Sequence, residues 1–442
     1  MNQTVLSALS DGSSLGWDDH EDCIKSVGEV KPMSLLADVN PIARRILIGN
    51  GFSALGSGLT LPFLVIYLGE VRGLGTTIGG LIVAYLAIIT LLVAFPIGAL
   101  VDHWGPRRVL IVSLGLAGVG VSLLGFVTTT PSALFVVTLI AIGQAGIWSP
   151  QSALYARVTP SEFRQKIFGL QFMMLNLGLG IGGLFAAVIV NVKQPETFTT
   201  LYLLDSCTFY IYATILLTLR GIGDGPHEGT EARQPDGGYS VVLRDRAMMR
   251  LLTAALVLLV FGYGSLEVGL PVYATVIGDL SVGFVGIAYA VNTGFIVLSQ
   301  LFVIKLLRGR SRSRSAALVG LIWAIAWLLV GVSIEFNPVI AGALICLGVA
   351  IFALGETLWA PVIPAIVNDL APESLRGRYN AALSMIWGIA GTVGPAFAGV
   401  ALGLDLPYLW VTTVVLGCAL AGLLLLRLRH LLTPSQDGMI MS

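Results

Sequence analysis

Three carboxylic acids interrupt long apolar runs of this sequence, and proton exchange is the chemistry that suits them. Glu267, Glu356 and Asp205 lie within predominantly apolar runs, and no Lys or Arg lies within those runs. Desolvation without a counter-ion favours the neutral acid, so each proton should leave when water reaches the group. Glu267, Glu356 and Asp205 are therefore predicted proton-coupling residues. The alternative is that each glutamate hydrogen-bonds a neighbouring helix and only stiffens the structure.

Five further polar or aromatic side chains lie near the middle of apolar runs and are candidates for contact with a substrate. They are Gln144, Asn176, Tyr263, Asn292 and Trp359. Helical spacing of four residues places Tyr263 on the same face as Glu267, and a spacing of three places Trp359 with Glu356. An aromatic ring beside an acid can bind an amphipathic cation by stacking and cation-π attraction. Each of the five could equally be a packing residue or an interhelical hydrogen-bonding group.

The composition requires a membrane environment for these residues. The 442 residues are 56% hydrophobic and 11% charged, with a mean hydropathy of +0.88, whereas soluble domains carry about 25% charged residues. A net charge of zero gives no reason to expect a nucleic-acid partner. The four cysteines are far apart without metal-ligand spacing, and no catalytic triad, HExxH or phosphate loop is present. We therefore predict no metal, no cofactor and no enzyme activity.

Apolar runs long enough to cross a bilayer predict twelve transmembrane helices, because a core of about 30 Å requires about 20 residues. The runs begin near residues 45, 76, 108, 132, 165, 200, 248, 283, 315, 339, 376 and 408. At about 1.5 Å per residue, Glu267 lies roughly 12 Å from the outer end of its span and Glu356 roughly 16 Å from the inner end. Asp205 lies only about 9 Å from an outer end, so a structural and a functional role are equally supported.

The basic residues predict the orientation of the spans. Of the 25 Lys and Arg residues, only Arg72 and Lys193 fall on the outer side when the amino terminus is placed inside. Positively charged loops remain cytoplasmic, so both termini are predicted to be cytoplasmic in a multi-pass protein of the plasma (inner) membrane. The polar first 40 residues contain no apolar segment of the kind found in cleavable signal peptides.

An internal repeat of about 210 residues divides the apolar part into two halves. Pro62 and Pro271, Trp148 and Trp359, and Arg164 and Arg376 are separated by 209, 211 and 212 residues. Duplicated bundles are common in transporters. The predicted division is a disordered acidic tail (1–43), a first six-helix bundle (44–219), a linker (220–246), a second six-helix bundle (247–430) and a cytoplasmic tail (431–442).

The loop after the second span carries a motif that resembles the signature of the major facilitator superfamily, G-x-L-x-D-R-x-G-R-K/R. The matching residues are Gly98, Leu100, Asp102, Gly105, Arg107 and Arg108, whereas His103 replaces the usual Arg. The resemblance covers residues 44 to 430. It implies an all-α membrane fold of twelve helices in two bundles related by a pseudo-two-fold axis. It also implies that helices 1, 4, 7 and 10 line a central cavity.

Asp102 is predicted to act as a gating residue. It ends the second span on the side where the eleventh span begins, and a helix N-terminus attracts a carboxylate. The resemblance implies that this aspartate lies against helix 11 and holds the bundles together while the cavity opens outward. The alternative is a simple turn whose arginines only set topology.

Other motifs resemble the drug:proton antiporter branch of the family. Gly178, Gly182 and Gly183 match the antiporter signature of helix 5, although Leu179 replaces its Pro, and the Arg common in span 4 is absent. The resemblance implies a monomeric carrier that uses protons to export a lipophilic or cationic small molecule or drug. The alternatives are a proton-coupled carrier of a sugar, metabolite or lipid, and a non-transporting receptor or scaffold.

Overall fold

The computed structural model describes residues 39–60, 63–191, 193–219, 221–224 and 238–439. Within these ranges the chain is helical and contains no β-strand, which confirms the predicted all-α class. Eleven helices are long and apolar enough to cross a membrane, and a bent pair at the start of the chain supplies a twelfth span. Most of the predicted acidic tail, and the repeat landmark Pro62, lie outside the described residues.

The twelve membrane helices are named α1 to α12 in chain order. They are α1 Pro41–Thr60 continued by Leu64–Val71, α2 Thr76–Trp104, α3 Pro106–Leu124, α4 Thr130–Val158, α5 Ser161–Ile189, α6 Pro195–Leu217, α7 Arg246–Ile277, α8 Val282–Leu306, α9 Arg312–Val332, α10 Pro338–Leu370, α11 Arg376–Gly403 and α12 Pro407–Leu428. A short helix, Gly238–Arg244, precedes α7 and is called the linker helix. The first bundle comprises α1 to α6 and the second comprises α7 to α12.

Several helices begin before the apolar run that predicts them, because their first turns contain proline or polar residues. Pro195 and Pro338 occupy first-turn positions, where the missing N–H of proline has no consequence. Asp245 caps α7 by accepting hydrogen bonds from two backbone N–H groups, and Asn337 caps α10. The largest difference from the sequence prediction is at α6, which begins at residue 195 rather than 200.

Besides α1, which is bent and ends in a π-helical turn, two helices that reach the centre of the molecule depart from regular α-helical geometry. In α4 the helix is interrupted between Ala145 and Trp148. In α7 wide π-helical turns occupy Leu259–Tyr263, Ser265–Gly269 and Tyr273–Ile277. Turns of this kind occur frequently at functional sites.

The glycine motif of α5 packs this helix against α1 inside the first bundle. A Cβ atom at Gly178 would lie 2.7 Å from Ala54 Cβ and 2.8 Å from the Leu55 backbone nitrogen. Gly182 likewise contacts the backbone of α1 too closely for any side chain, whereas the nearest atom to a Cβ at Gly183 is 3.9 Å away. Small residues allow such close approach between membrane helices.

Replacing Gly178 is therefore expected to loosen the first bundle. The Gly178→Ala variant should lose about 1–3 kcal/mol of stability, since the added methyl overpacks the contact with α1. Thermal unfolding of the purified protein in detergent measures this loss. Gly183→Ala on the same helix is the matched control and should unfold at the wild-type temperature or above. Equal effects of the two substitutions would contradict this account of the packing.

The two bundles are joined by hydrogen bonds at the end of the molecule where the arginine-rich loops lie, which we call the basic end. Ser149 of α4 donates to the backbone oxygen of Gly377 at 3.0 Å. Tyr239 of the linker helix donates to the backbone oxygen of Phe95 in α2. A Cβ at Gly98 would lie 2.6 Å from Ala381 Cβ, so α2 and α11 are in close contact. The basic end is closed in this structure.

Candidate functional site

A cavity of about 480 Å³ lies between the bundles. Its walls come from α2, α4 and α5 of the first bundle and from α7, α9, α10 and α11 of the second. Four of the predicted site residues line it: Gln144, Tyr263, Glu356 and Trp359. Its volume falls within the range typical of small-molecule sites.

Glu356 is the acidic residue in the wall of this cavity. Its side chain is buried, with 4% of the residue exposed. The Nδ2 group of Asn292 on α8 donates to Glu356 Oε2 at 2.6 Å. No Lys or Arg forms an ion pair with Glu356 in the described part of the chain. Asn292 therefore belongs to the site as the hydrogen-bond partner of the acid, although it is not part of the cavity lining.

Four aromatic rings line the second-bundle side of the cavity together with Glu356. Tyr263 packs edge-on against Trp387 at 4.9 Å between ring centroids, and it also contacts Trp323 at 6.3 Å. Trp323 in turn is stacked with Trp359 at 6.3 Å. All four rings line the cavity. An acid among aromatic faces is a suitable environment for an organic cation.

Gln171 of α5 supplies a polar group on the opposite wall. It is only 2% exposed, and its Nε2 atom has no hydrogen-bond partner among the described residues. A buried amide without a partner is unfavourable, so a polar atom of a bound molecule would improve this site. The sequence analysis did not select Gln171, because a single Gln in an amphipathic helix carries no distinguishing signal.

The structure separates the other two acids from Glu356. Glu267 of α7 is exposed and does not belong to the cavity lining. Asp205 of α6 lies inside the first bundle at 2% exposure, where Thr60 of α1 donates a hydrogen bond of 2.6 Å to its carboxylate. Asn176 of α5 donates to the backbone oxygen of Phe172 on its own helix and is also outside the lining.

Asp102 lies at the basic end, where α2 meets the start of α11. The carboxylate accepts hydrogen bonds from the backbone N–H groups of Gly377 at 2.6 Å and Arg378 at 3.3 Å. The Arg378 guanidinium is 3.2 Å from the same carboxylate, and the Asp102 side chain is 2% exposed. Gly105 ends α2 with a φ of 88°, a conformation that favours glycine. The acid thus joins one bundle to a helix N-terminus of the other.

Comparison with known proteins identifies the family. A model described as Major Facilitator Superfamily matches residues 46–360. The chain belongs to the major facilitator superfamily. It is a multi-pass membrane transporter and not an enzyme, and transporters of this superfamily bind small-molecule substrates.

This family member is similar to two named bacterial transporters and to a solved structure. It is 25% identical to the Na(+), Li(+), K(+)/H(+) antiporter of Planococcus maritimus, over 81% of this chain and 89% of the relative. It is 26% identical to Multidrug resistance protein 1 of Bacillus subtilis (strain 168), over 86% and 95%. The crystal structure of a bacterial homologue of the iron transporter ferroportin in an outward-facing state superposes with a TM-score of 0.75. That match has 13% identity and covers 88% of this chain and 100% of the other.

The arginines of the signature loop in this transporter have different environments. Arg107 is buried, and its Nη1 atom donates to both oxygens of Asp224 at 2.5 and 2.7 Å. Its Nε atom donates to the backbone oxygen of Leu216, so it ties α3 to the end of α6. Arg108 is largely exposed and lies 3.7 Å from Asp224. Arg107 is therefore a structural residue of the first bundle, and Asp224 is a partner that the sequence analysis did not identify.

The Asp224 carboxylate should stabilise the first bundle only when it is ionised. Burial acts to raise the pKa of this carboxyl, but hydrogen bonds from Arg107 and Gly221 and the charges of Arg107 and Arg108 hold the pKa below its ordinary value. A depressed pKa contributes stability at neutral pH that is lost as the pH falls through the folded-state pKa. We expect Asp224→Asn to lower stability by about 1 kcal/mol at pH 7.

Thermal unfolding of wild type and Asp224→Asn across pH tests this pairing. The difference between the two proteins should begin to shrink below about pH 4 and disappear as the pH falls through the depressed folded-state pKa of Asp224, because the wild-type carboxyl is then neutral as well. Glu196→Gln serves as the control, because Glu196 is exposed and lies at the start of α6, at the opposite end of that helix from Asp224. A difference between wild type and Asp224→Asn that does not change with pH would contradict the ionic origin of the effect.

A second buried charge cluster joins the bundles at the basic end, and we call its members, Ser161, Arg164, Arg312 and Asp369, the Asp369 cluster. Arg164 of α5 and Arg312 of α9 both form ion pairs with Asp369 at the end of α10. Ser161 donates to the same carboxylate at 2.5 Å, and its backbone oxygen accepts from Arg312 Nη2 at 2.8 Å. The repeat carries a signal for this cluster: Arg157 occupies the position 212 residues before Asp369, so a basic residue in the first half corresponds to an acidic one in the second.

Proposed function

We propose that this protein exports a lipophilic cation in exchange for protons, by alternating access, with Glu356 as the shared binding site. One observation carries the proposal: Glu356 is buried in the wall of the central cavity, without a basic partner in the described residues. A single carboxylate of this kind can balance either one proton or one substrate cation, but not both. Competition for one acid is sufficient to couple the two fluxes.

The surroundings of Glu356 support an organic cation as the substrate. The rings of Tyr263, Trp323, Trp359 and Trp387 line the same cavity as the carboxylate. Each favourable cation-π contact contributes about 0.5–2 kcal/mol, the upper value applying to desolvated sites. A flat, apolar cation gains from these rings and from the carboxylate together. Gln144 and Gln171 on the first bundle offer hydrogen bonds to polar atoms of the same molecule.

The direction of transport follows from the proposed orientation. We place the protein in the plasma membrane with the basic end and both termini on the cytoplasmic side. This orientation puts 23 of the 25 Lys and Arg residues on the cytoplasmic side. The cavity is then closed to the cytoplasm in this structure. A proton from the outer side binds the Glu356 carboxylate and displaces the bound cation, which leaves to the outside. The protonated acid returns inward, and the next cation displaces its proton. The transporter works as a monomer.

Alkali-cation/proton antiport is the second candidate. The relative from Planococcus maritimus is named as such an antiporter. The carboxylate of Glu356 and the amide oxygens of Asn292 and Gln144 are ligand types that hard cations accept. The aromatic wall gives no benefit to an alkali ion, and for this reason we favour the organic cation.

Transport in proteoliposomes with an imposed pH gradient tests the proposal. The panel consists of ethidium, tetraphenylphosphonium, sodium and potassium, together with a neutral sugar. We expect substrate-driven proton flux with the two organic cations. Flux with sodium or potassium alone would favour the second candidate, and flux with the sugar would overturn both. Liposomes without protein give the background leak.

A further inference from the structure

The segment that follows α12 is packed against the transporter. Residues 433–439 contact the start of α9 at the basic end, and Asp437 is 4% exposed. Its Oδ1 atom accepts a hydrogen bond of 2.7 Å from the backbone N–H of Ser313, and its Oδ2 atom accepts one of 2.6 Å from the Ser311 hydroxyl. The backbone oxygen of Asp437 accepts a third, of 2.8 Å, from the Arg312 backbone N–H. Asp437 thus caps α9 from a point 124 residues further along the chain.

These contacts converge on one arginine of the Asp369 cluster. Besides the backbone contact with Asp437, Arg312 donates through Nη1 to the backbone oxygen of Gln436 at 3.1 Å. The side chain of Gln436 donates to the backbone oxygen of Asp369 at 3.3 Å. Arg312 is 1% exposed. The C-terminal segment therefore fixes both the helix start and the guanidinium of Arg312, and it also contacts the acid that Arg312 binds.

Arg312 is the residue through which this segment can act on the first bundle. Its Nη2 atom donates across the bundle interface to the backbone oxygen of Ser161, at the start of α5. An arginine has several rotatable bonds, so holding it in one geometry without support has a large entropic cost. The backbone of Gln436 and Asp437 provides that support without itself being part of the cluster.

We propose that Asp437 is a positioning residue for the transport cycle: it holds Arg312 in the Asp369 cluster and so stabilises the state in which the basic end is closed. The segment must release Arg312, or move with it, each time the basic end opens. Alternating access depends on the free-energy difference between the two states, and the proposal requires the C-terminal segment to stabilise the closed state more than the open one. This inference rests on the alternating access of the proposed function, but not on the identity of the substrate or of the coupling ion.

Spin-label distances across the basic end test the proposal without any substrate. Labels are introduced at exposed Arg45 on α1 and Arg429 after α12, in a protein whose native cysteines are replaced by serine. We expect Asp437→Ala to increase the population of long distances by about tenfold, since charge-assisted hydrogen bonds to Ser311 and Ser313 are lost. Asp437→Asn keeps one side-chain acceptor, so its population of long distances should lie between those of wild type and Asp437→Ala. Ser435→Ala, at an exposed position of the same segment, should match wild type.

A double-mutant cycle with Arg312→Ala separates positioning from general destabilisation. If Asp437 acts through Arg312, the substitution at Asp437 should have little further effect on the distances once Arg312 is removed. Additive effects of the two substitutions would overturn the proposal. So would unchanged distances in a well-folded Asp437→Ala protein. Should Asp437→Ala fail to fold, the same comparison is made with Asp437→Asn. Failure of the proposed antiport would instead appear only in the flux assay, with these distances unaffected.

Discussion

Glu356→Gln is expected to abolish proton-driven transport while the protein remains folded. Glutamine has nearly the same shape and still offers an oxygen to the Nδ2 group of Asn292, so the hydrogen bond of 2.6 Å has a replacement. An amide neither gains nor releases a proton near neutral pH, and it carries no negative charge. Gradient-driven flux of the organic cation should therefore fall to the background of liposomes without protein, since coupling requires a group that can release its proton.

The affinity of Glu356→Gln for the organic cation shows whether the variant has lost proton coupling alone or the binding cavity as well. With Glu356 neutral, the rings of Tyr263 and Trp359 still attract the cation, so its affinity should fall by about tenfold rather than disappear. Fluorescence titration of ethidium with the purified variant measures this. A variant that binds weakly but shows no proton-coupled flux fits the proposal. Full gradient-driven transport by Glu356→Gln would mean that the proton binds elsewhere.

Two other acids are the matched controls for this experiment. Glu267 is exposed and outside the cavity lining, and we expect Glu267→Gln to reduce coupled flux less than Glu356→Gln. Asp205 is enclosed in the first bundle by Thr60 and Thr208, so Asp205→Asn should affect stability more than coupling. If Glu267→Gln removes coupling and Glu356→Gln does not, Glu267 rather than Glu356 is the proton-binding acid.

The sequence predicts the helices well because their signal is physical and local. Runs of about 20 apolar residues are required by the bilayer, and each of the twelve starts is found within five residues of its predicted position. The remaining error arises because hydropathy marks the apolar core, while the first-turn residue Pro195 and the cap Asn337 lie outside it.

The site is only partly predictable, and α7 shows why. A spacing of four residues puts Tyr263 and Glu267 on one face of a regular α-helix, but the π-helical turns of α7 change the rotation per residue. Tyr263 lines the cavity and Glu267 does not. On α10, which is a continuous α-helix, Glu356 and Trp359 do line the cavity together.

Other residues of the site could not be selected from one sequence. Trp323 and Trp387 lie in apolar helices where an aromatic residue usually serves packing, and only the tertiary structure brings them to the cavity. Asp437 and Arg312 are 125 residues apart, and their contact depends on the path of the chain after α12. Long-range polar contacts of this kind leave no periodic pattern.

Asp102→Asn is expected to open the basic end. The carboxylate of Asp102 accepts from the N–H groups of Gly377 and Arg378 and is close to the Arg378 guanidinium. The substituted amide has one oxygen and no charge, so it cannot satisfy all three donors or balance the helix N-terminus. The loss of about 1.5–3 kcal/mol from the closed state corresponds to roughly a 10- to 100-fold shift in the ratio of states.

The same labels on Arg45 and Arg429 measure this shift, and a pair within the first bundle at Arg45 and Thr218 should not change. Asp405→Asn is the matched control, because Asp405 lies in a turn at the other end of the molecule with a φ of 58°, which asparagine also adopts. A shift toward the open state should slow turnover, since the return to the closed state becomes unfavourable, while ethidium affinity stays near wild type. Unchanged distances and turnover in Asp102→Asn would show that the contact between Asp102 and α11 does not control the opening of the basic end. In that case the Asp369 cluster would contribute more than Asp102 to the closure of the basic end, and Asp437→Ala should then have the larger effect of the two substitutions.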